Sequence, residues 1–229
     1  MKLSETTLSV LKNFANINPG LVFKVGNSLR TISTNKALYA EATVEESFPR
    51  EFGIYDLNKL LGVLSLHENA DLNFADQYLE LGGVGGRSRT RIRYTEAKLI
   101  QSPPEGKSIK AATYDVSLKL SASDLLWIEK IGAVLKCPYV VISNTDGKIV
   151  VEAADVKGEI VDDSALTISD STTATPFKFV LKVENLKLLP GDYEVFINSK
   201  GISKFVGTPV TYFVAVEQSS SFYGESKAA

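Results

Sequence analysis

Along most of the chain, short runs rich in β-branched and aromatic residues alternate with breaks of Gly, Pro, Asn and Asp, a pattern that predicts strands separated by turns. Candidate strands fall near 21–25, 29–34, 37–44, 50–55, 70–75, 77–81 and 87–94, then near 113–119, 138–144, 147–153, 164–169, 177–183, 192–198, 202–207 and 210–217. Four segments carry helical spacing instead, roughly 4–16, 56–65, 121–135 and 184–189. The first places Leu8, Leu11 and Phe14 on one face behind a Ser4 or Thr6 cap, and the third places Leu125, Ile128 and Ile131 behind Leu120-Ser121.

These segments repeat. Both the first and third helices open Leu-Ser and are followed by Pro and an aliphatic strand, Pro19-Gly20-Leu21-Val22-Phe23 and Pro138-Tyr139-Val140-Val141-Ile142. The second and fourth align without a gap, Tyr55-Asp56-Leu57-Asn58-Lys59-Leu60-Leu61 against Val183-Glu184-Asn185-Leu186-Lys187-Leu188-Leu189. Two copies of one domain are the simplest account. Pro103-Pro104 and Gly106 mark an extended linker, giving domains at 1–97 and 111–229 joined by 98–110.

Composition narrows the chemistry. The 229 residues are 44% hydrophobic, enough for a substantial core, and the net charge of −2 argues against a strong, non-specific basic surface for nucleic acid. Any DNA contact must be local or topological. No apolar run is long enough for a membrane span, and no apolar signal core follows Lys2, so the protein is expected to stay where it is made. Cys137 is the single cysteine and cannot form an internal disulfide, as in a reducing cytoplasm.

Catalytic and metal chemistry find little support. His67, the single histidine, reads as a surface residue at a turn, and no nucleophile signature surrounds Cys137 or any serine. One Cys and one His cannot build a zinc centre, and Asp162-Asp163 reads as a solvated loop, so no metal or cofactor is expected. The cluster Gly82-Gly83-Val84-Gly85-Gly86 lacks a P-loop ending and reads as a hairpin turn. After it, Arg87, Arg89, Arg91 and Arg93 alternate with other residues on one face of a strand, either solvated or meeting a subunit or nucleic acid.

The order of these elements, with Leu11-Lys12-Asn13-Phe14-Ala15-Asn16-Ile17-Asn18-Pro19-Gly20, Ile54-Tyr55-Asp56-Leu57-Asn58, Pro190-Gly191-Asp192-Tyr193 and Tyr212-Phe213-Val214-Ala215-Val216-Glu217, resembles the sliding clamps of T-even-type bacteriophages nearly end to end. That resemblance implies an α+β DNA-clamp fold: two similar domains, each with two helices packed on antiparallel sheets, assembled as a closed homotrimeric ring with the helices lining the hole. It implies a non-enzymatic factor in the cytoplasm of the bacterial host. Its partners would be duplex DNA, held topologically and without sequence preference, DNA polymerase, a clamp loader, and late-transcription factors with RNA polymerase. With the apolar side of the first helix turned inward, Thr6, Ser9, Lys12, Asn13 and Asn16 face out, and Lys59, Lys130 and Lys187 sit on the other helices. These residues, Thr6 apart, are the expected DNA-facing set. Leu99, Ile100, Pro103, Tyr212 and Val214 are the expected pocket for a partner's C-terminal peptide. A β-rich structural or virion-assembly protein with no DNA role is the alternative.

Overall fold

The computed structural model describes residues 1–67, 70–82, 88–104, 109, 113–158, 162–171 and 173–224. The chain divides into two compact units, Met1–Lys107 and Ser108–Ala229.

The first unit opens with α1 (Glu5–Ile17), whose N-cap Ser4 accepts the Thr7 backbone N–H at 3.2 Å. Its buried Val10, Leu11, Phe14 and Ile17 recur at helical spacing and face the unit's interior. Next come β1 (Leu21–Phe23), β2 (Gly26–Ile32), β3 (Leu38–Phe48) and β4 (Phe52–Ile54), with β1 antiparallel to β4 and β2 to β3. Then α2 (Leu57–Ser65) starts at Asp56, which accepts the Lys59 N–H at 3.0 Å. An antiparallel sheet of β5 (Asp71–Phe74), β6 (Tyr78–Gly82) and β7 (Arg89–Arg93) completes the unit, with β6 in the middle. Phe23 stacks on Phe52 at 4.6 Å, and Phe48, Phe74 and Tyr94 close around the pair. Burying each phenylalanine contributes about 1.5–3 kcal/mol.

The second unit begins with β8 (Val116–Leu120) and α3 (Ala122–Leu135). A reciprocal Ser121–Asp124 capping box starts that helix, and Leu125, Ile128 and Gly132 are its buried face. Two sheets follow. One has the order β11 (Ser164–Asp170), β10 (Lys148–Ala154), β9 (Tyr139–Thr145), β12 (Phe177–Lys182) and β16 (Phe222–Tyr223). In the other, β8, β13 (Tyr193–Asn198), β14 (Ile202–Val206) and β15 (Val210–Ala215) are successive neighbours, all antiparallel. Asp146 and Gly147, both at positive φ (50° and 74°), make the two-residue turn that fixes the β9–β10 register.

Three of the four expected helices form. At 184–189 the structure has only a single 3-10 turn, Val183–Asn185. Pro190 explains the difference, because its ring disfavours a helical Leu189 and it has no N–H to continue the ladder. The Leu189 main chain is used elsewhere: its N–H donates to Tyr212 Oη at 3.1 Å and its carbonyl accepts the Tyr193 hydroxyl at 2.5 Å. The short strand β16 was not anticipated, being two residues long.

The start of the expected linker is tied down. Ala97–Leu99 forms a 3-10 turn, Ile100 is buried, and the Gln101 side chain donates to the Ser33 carbonyl at 2.8 Å. Residues 105–108 and 110 of the expected 98–110 linker lie outside the described residues, as do Gly83, Val84, Gly85, Gly86 and Arg87.

Candidate functional site

On α1, buried Val10, Leu11 and Phe14 leave Glu5, Ser9, Lys12 and Asn16 as one exposed stripe at spacings of four, three and four, with Thr6 exposed beside it. Asn13, expected on that stripe, is instead 7% exposed, because its position turns toward the buried face beside Phe14. On α2 the exposed side carries Asn58, Lys59, Gly62 and Ser65. On α3 it carries Ser123, Leu126, Lys130 and Val134, with Glu129 at its margin. Burial pushes the Glu129 carboxyl, next to Lys130, up from its ordinary value. Each helix presents one exposed lysine, with Glu5 on the same stripe of α1 and Glu129, Leu126 and Val134 exposed beside Lys130 on α3. Lys187 is also exposed but lies beyond the 3-10 turn, so the structure does not place it on a helix.

The expected peptide pocket is not assembled from the five residues named for it. Leu99 is 62% exposed and Pro103 partly so, whereas Ile100, Tyr212 and Val214 are buried inside their own units. Ile100 fills the space left open by Gly20 and Gly53: Cβ atoms built there would lie 3.1 and 2.9 Å from its side chain. Tyr212 is held in the core by Leu189 and by Tyr193, whose ring lies 6.1 Å away. Tyr212 and Val214, two positions apart on β15, both point inward.

The histidine and cysteine sit in structural settings. His67 lies 3.3 Å from Ser88 Oγ through Nδ1 and 3.5 Å from Thr90 Oγ1 through Nε2. Cys137 is buried at the end of α3, and burial pushes its thiol up, with Asp155, Asp162, Asp163 and Glu152 adding to the effect. A thiol so shifted is a poor nucleophile. Among the described residues, no three His, Cys, Asp or Glu side chains stand together as a metal site, and no helix is long and apolar enough to cross a membrane.

Two β-rich units with polar-faced helices define the DNA-clamp class of fold. Solved structures agree: proliferating cellular nuclear antigen from Entamoeba histolytica matches with a TM-score of 0.67 at 13% identity, covering 93% of this chain and 95% of that one. The DNA polymerase III β subunit from Pseudomonas aeruginosa matches at 0.63 and 14% identity, covering 93% of this chain and 63% of that one. Residues 2–81 match the model of the DNA polymerase processivity factor family, and 117–218 that of the gp45 sliding clamp C-terminal family. The sliding clamp of Vibrio phage KVP40 is 34% identical over 95% of this chain and 99% of its own, and that of Enterobacteria phage T4 is 30% identical over 96% and 99%. The chain belongs to the sliding-clamp family.

Proposed function

We propose that three copies of the chain close into a ring that encircles duplex DNA and tethers a DNA polymerase to its template. The observation that carries this reading is that α1, α2 and α3 each have an exposed side bearing one lysine, Lys12, Lys59 and Lys130, in a protein of net charge −2. Sparse lysines give weak attraction to phosphates that is independent of sequence, which favours sliding over gripping. Ser9 and Asn16 supply hydrogen-bond donors on the same stripe as Lys12. Affinity is not needed where topology holds the duplex.

The ring contributes no chemistry of its own. It raises the effective concentration of polymerase at the primer end, and the reaction remains the polymerase's. A closed ring cannot thread itself onto circular DNA, so a clamp loader is a required partner, and the same ring serves late-transcription factors with RNA polymerase in the cytoplasm of the bacterial host. Leu99 and Pro103 are the accessible members of the proposed peptide contact.

Light scattering after size exclusion, paired with extension of a primed circle by the cognate polymerase, tests the reading. A trimer that lengthens each synthesis run is the expected result. A monomer at high concentration that leaves run length unchanged would end it.

A further inference from the structure

Leu99 is 62% exposed, yet the segment that carries it is fastened more firmly than a linker requires. Thr95 N–H donates to the Gly53 carbonyl at 2.9 Å, and the N–H groups of Leu99 and Ile100 donate to the carbonyls of Glu96 and Ala97, each at 3.0 Å. Those last two bonds close the 3-10 turn Ala97–Leu99. Ile100 is buried against Gly20 and Gly53. Joining two units asks for none of this, since a polar, proline-rich segment can stay extended and solvated.

Asn18 and Gln101 complete the fastening. Asn18, 4% exposed at the C-terminal end of α1, uses its whole amide: Nδ2 donates to the carbonyls of Ile32 and Gln101, both at 2.9 Å, and Oδ1 accepts the Gly20 N–H at 3.0 Å. The Gln101 amide donates to the carbonyls of Ser33 at 2.8 Å and Thr34 at 3.3 Å. Those acceptors belong to the turn between β2 and β3, which is held by its own bonds. Ser33 N–H donates to the Leu38 carbonyl at 2.8 Å, Leu38 N–H to Ser33 Oγ at 3.0 Å, and Lys36 N–H to the Ser33 carbonyl at 2.8 Å. Leu99 thus lies between a hydrogen-bonded turn and two anchored neighbours, its main chain fixed and its side chain in solvent. An apolar side chain held this way docks without the ordering cost that a free loop would meet.

We propose that Asn18 and Gln101 are positioning residues for the partner peptide, a latch that holds Ala97–Gln101 in the arrangement that presents Leu99. The latch rests on the reading of Leu99 as a peptide contact and adds a consequence to it. Loosening it lowers the fraction of molecules whose turn is ready, and the observed affinity falls by that fraction. The loss then shows in the association rate, because the complex once formed keeps its contacts. A side chain that touched the peptide would instead act on dissociation.

Gln101 is exposed and Asn18 buried, so Gln101 is the position to change in the full chain. Gln101→Met keeps the length and removes the donor, whereas Gln101→Lys restores one. The probe is a fluorescein-labelled peptide of the cognate polymerase's C-terminus, followed by stopped-flow anisotropy. Affinity roughly fivefold weaker for Gln101→Met, all of it in the association rate, and near wild type for Gln101→Lys is the expected result. Glu46→Gln controls for lost stability, because it weakens the start of α1 in the same unit, and it should bind the peptide as wild type does. Unchanged affinity in Gln101→Met, a loss carried by dissociation, an equal loss in Gln101→Lys, or an equal loss in Glu46→Gln each overturns the latch. Leu99→Ala separates the latch from the contact beneath it. If Leu99→Ala weakens binding and Gln101→Met does not, the latch fails and the contact stands; if Leu99→Ala binds as wild type does, the contact fails and takes the latch with it.

Discussion

Glu46 on β3 accepts the hydroxyl hydrogen bond of Thr7 on α1, across 39 residues of sequence, and its other oxygen accepts the Ser4 backbone N–H. A strand carboxylate therefore completes the cap that Ser4 begins, at the helix end where negative charge is favoured.

Burial pushes the Glu46 carboxyl up, but the bonds from Thr7 and Ser4 outweigh it and hold it below its ordinary value. The folded state thus binds this proton less tightly than the unfolded chain does. Its stabilisation is present above the unfolded value of about 4.3 and is lost as pH falls through and below it. Glu46→Gln should cost about 1 kcal/mol at neutral pH, and the gap from wild type should narrow at about pH 3. Urea unfolding at both pH values decides this; an unchanging gap would assign the loss to packing.

Gly53 and Ile100 interlock in the first unit. A Cβ on residue 53 would lie 2.4 Å from the Thr95 carbonyl oxygen and 2.9 Å from Ile100 Cδ1. Gly53→Ala should destabilise by about 2–3 kcal/mol, because the obstructing oxygen is main chain and cannot swing away. Leu99→Ala, next door but exposed, should fall within about 0.5 kcal/mol of wild type. Chemical denaturation of the two variants checks both, and a Leu99 effect as large as that at Gly53 would contradict the burial argument.

The sequence made local features readable and left distant ones hidden. Ser4 and Ser121 announced two helix starts because a cap and its periodic apolar face lie within one turn of sequence, and the structure adds Asp56 as the cap of α2. The heptapeptide match promised a fourth helix, yet Pro190 and the Tyr212–Leu189 bond overrode it, and the bond depends on a residue 23 positions away. The same limit governed the site. Lys12, Lys59 and Lys130 stood out as polar positions on amphipathic helices. The burial of Ile100 depends on Gly20 and Gly53, which no local window connects to it.

Tyr193 and Tyr212 make a second pH test. Burial raises both, Tyr193 to about 12 and Tyr212 further, and burial likewise raises Tyr39 to about 12. Folded pKa values above the unfolded value of about 10 mean that the stabilisation is complete below about pH 10 and is lost as pH rises toward 12. Ultraviolet titration should find these tyrosines ionising only as the fold opens. Tyr212→Phe, which orphans the Leu189 N–H, should cost roughly 1–2 kcal/mol in denaturant unfolding. Free titration of all tyrosines near pH 10 in the folded protein would refute the assignment.

Lys12, Lys59 and Lys130 bear on how the duplex is held. If each neutralises a phosphate when the ring surrounds DNA, converting it to Ala removes about 0.9 from the log–log salt slope of binding for every phosphate released. Topology is untouched by that change, so the triple variant should still assemble and remain on a closed circle, while leaving linear DNA with free ends faster than wild type. Lys187, exposed but off the helices, should leave the slope unchanged when replaced by Ala. Retention on linear and circular templates, measured across a salt series, separates the terms. Equal loss from both templates would mean that the lysines support the ring itself. No loss from either would mean that α1, α2 and α3 turn some other face to the duplex.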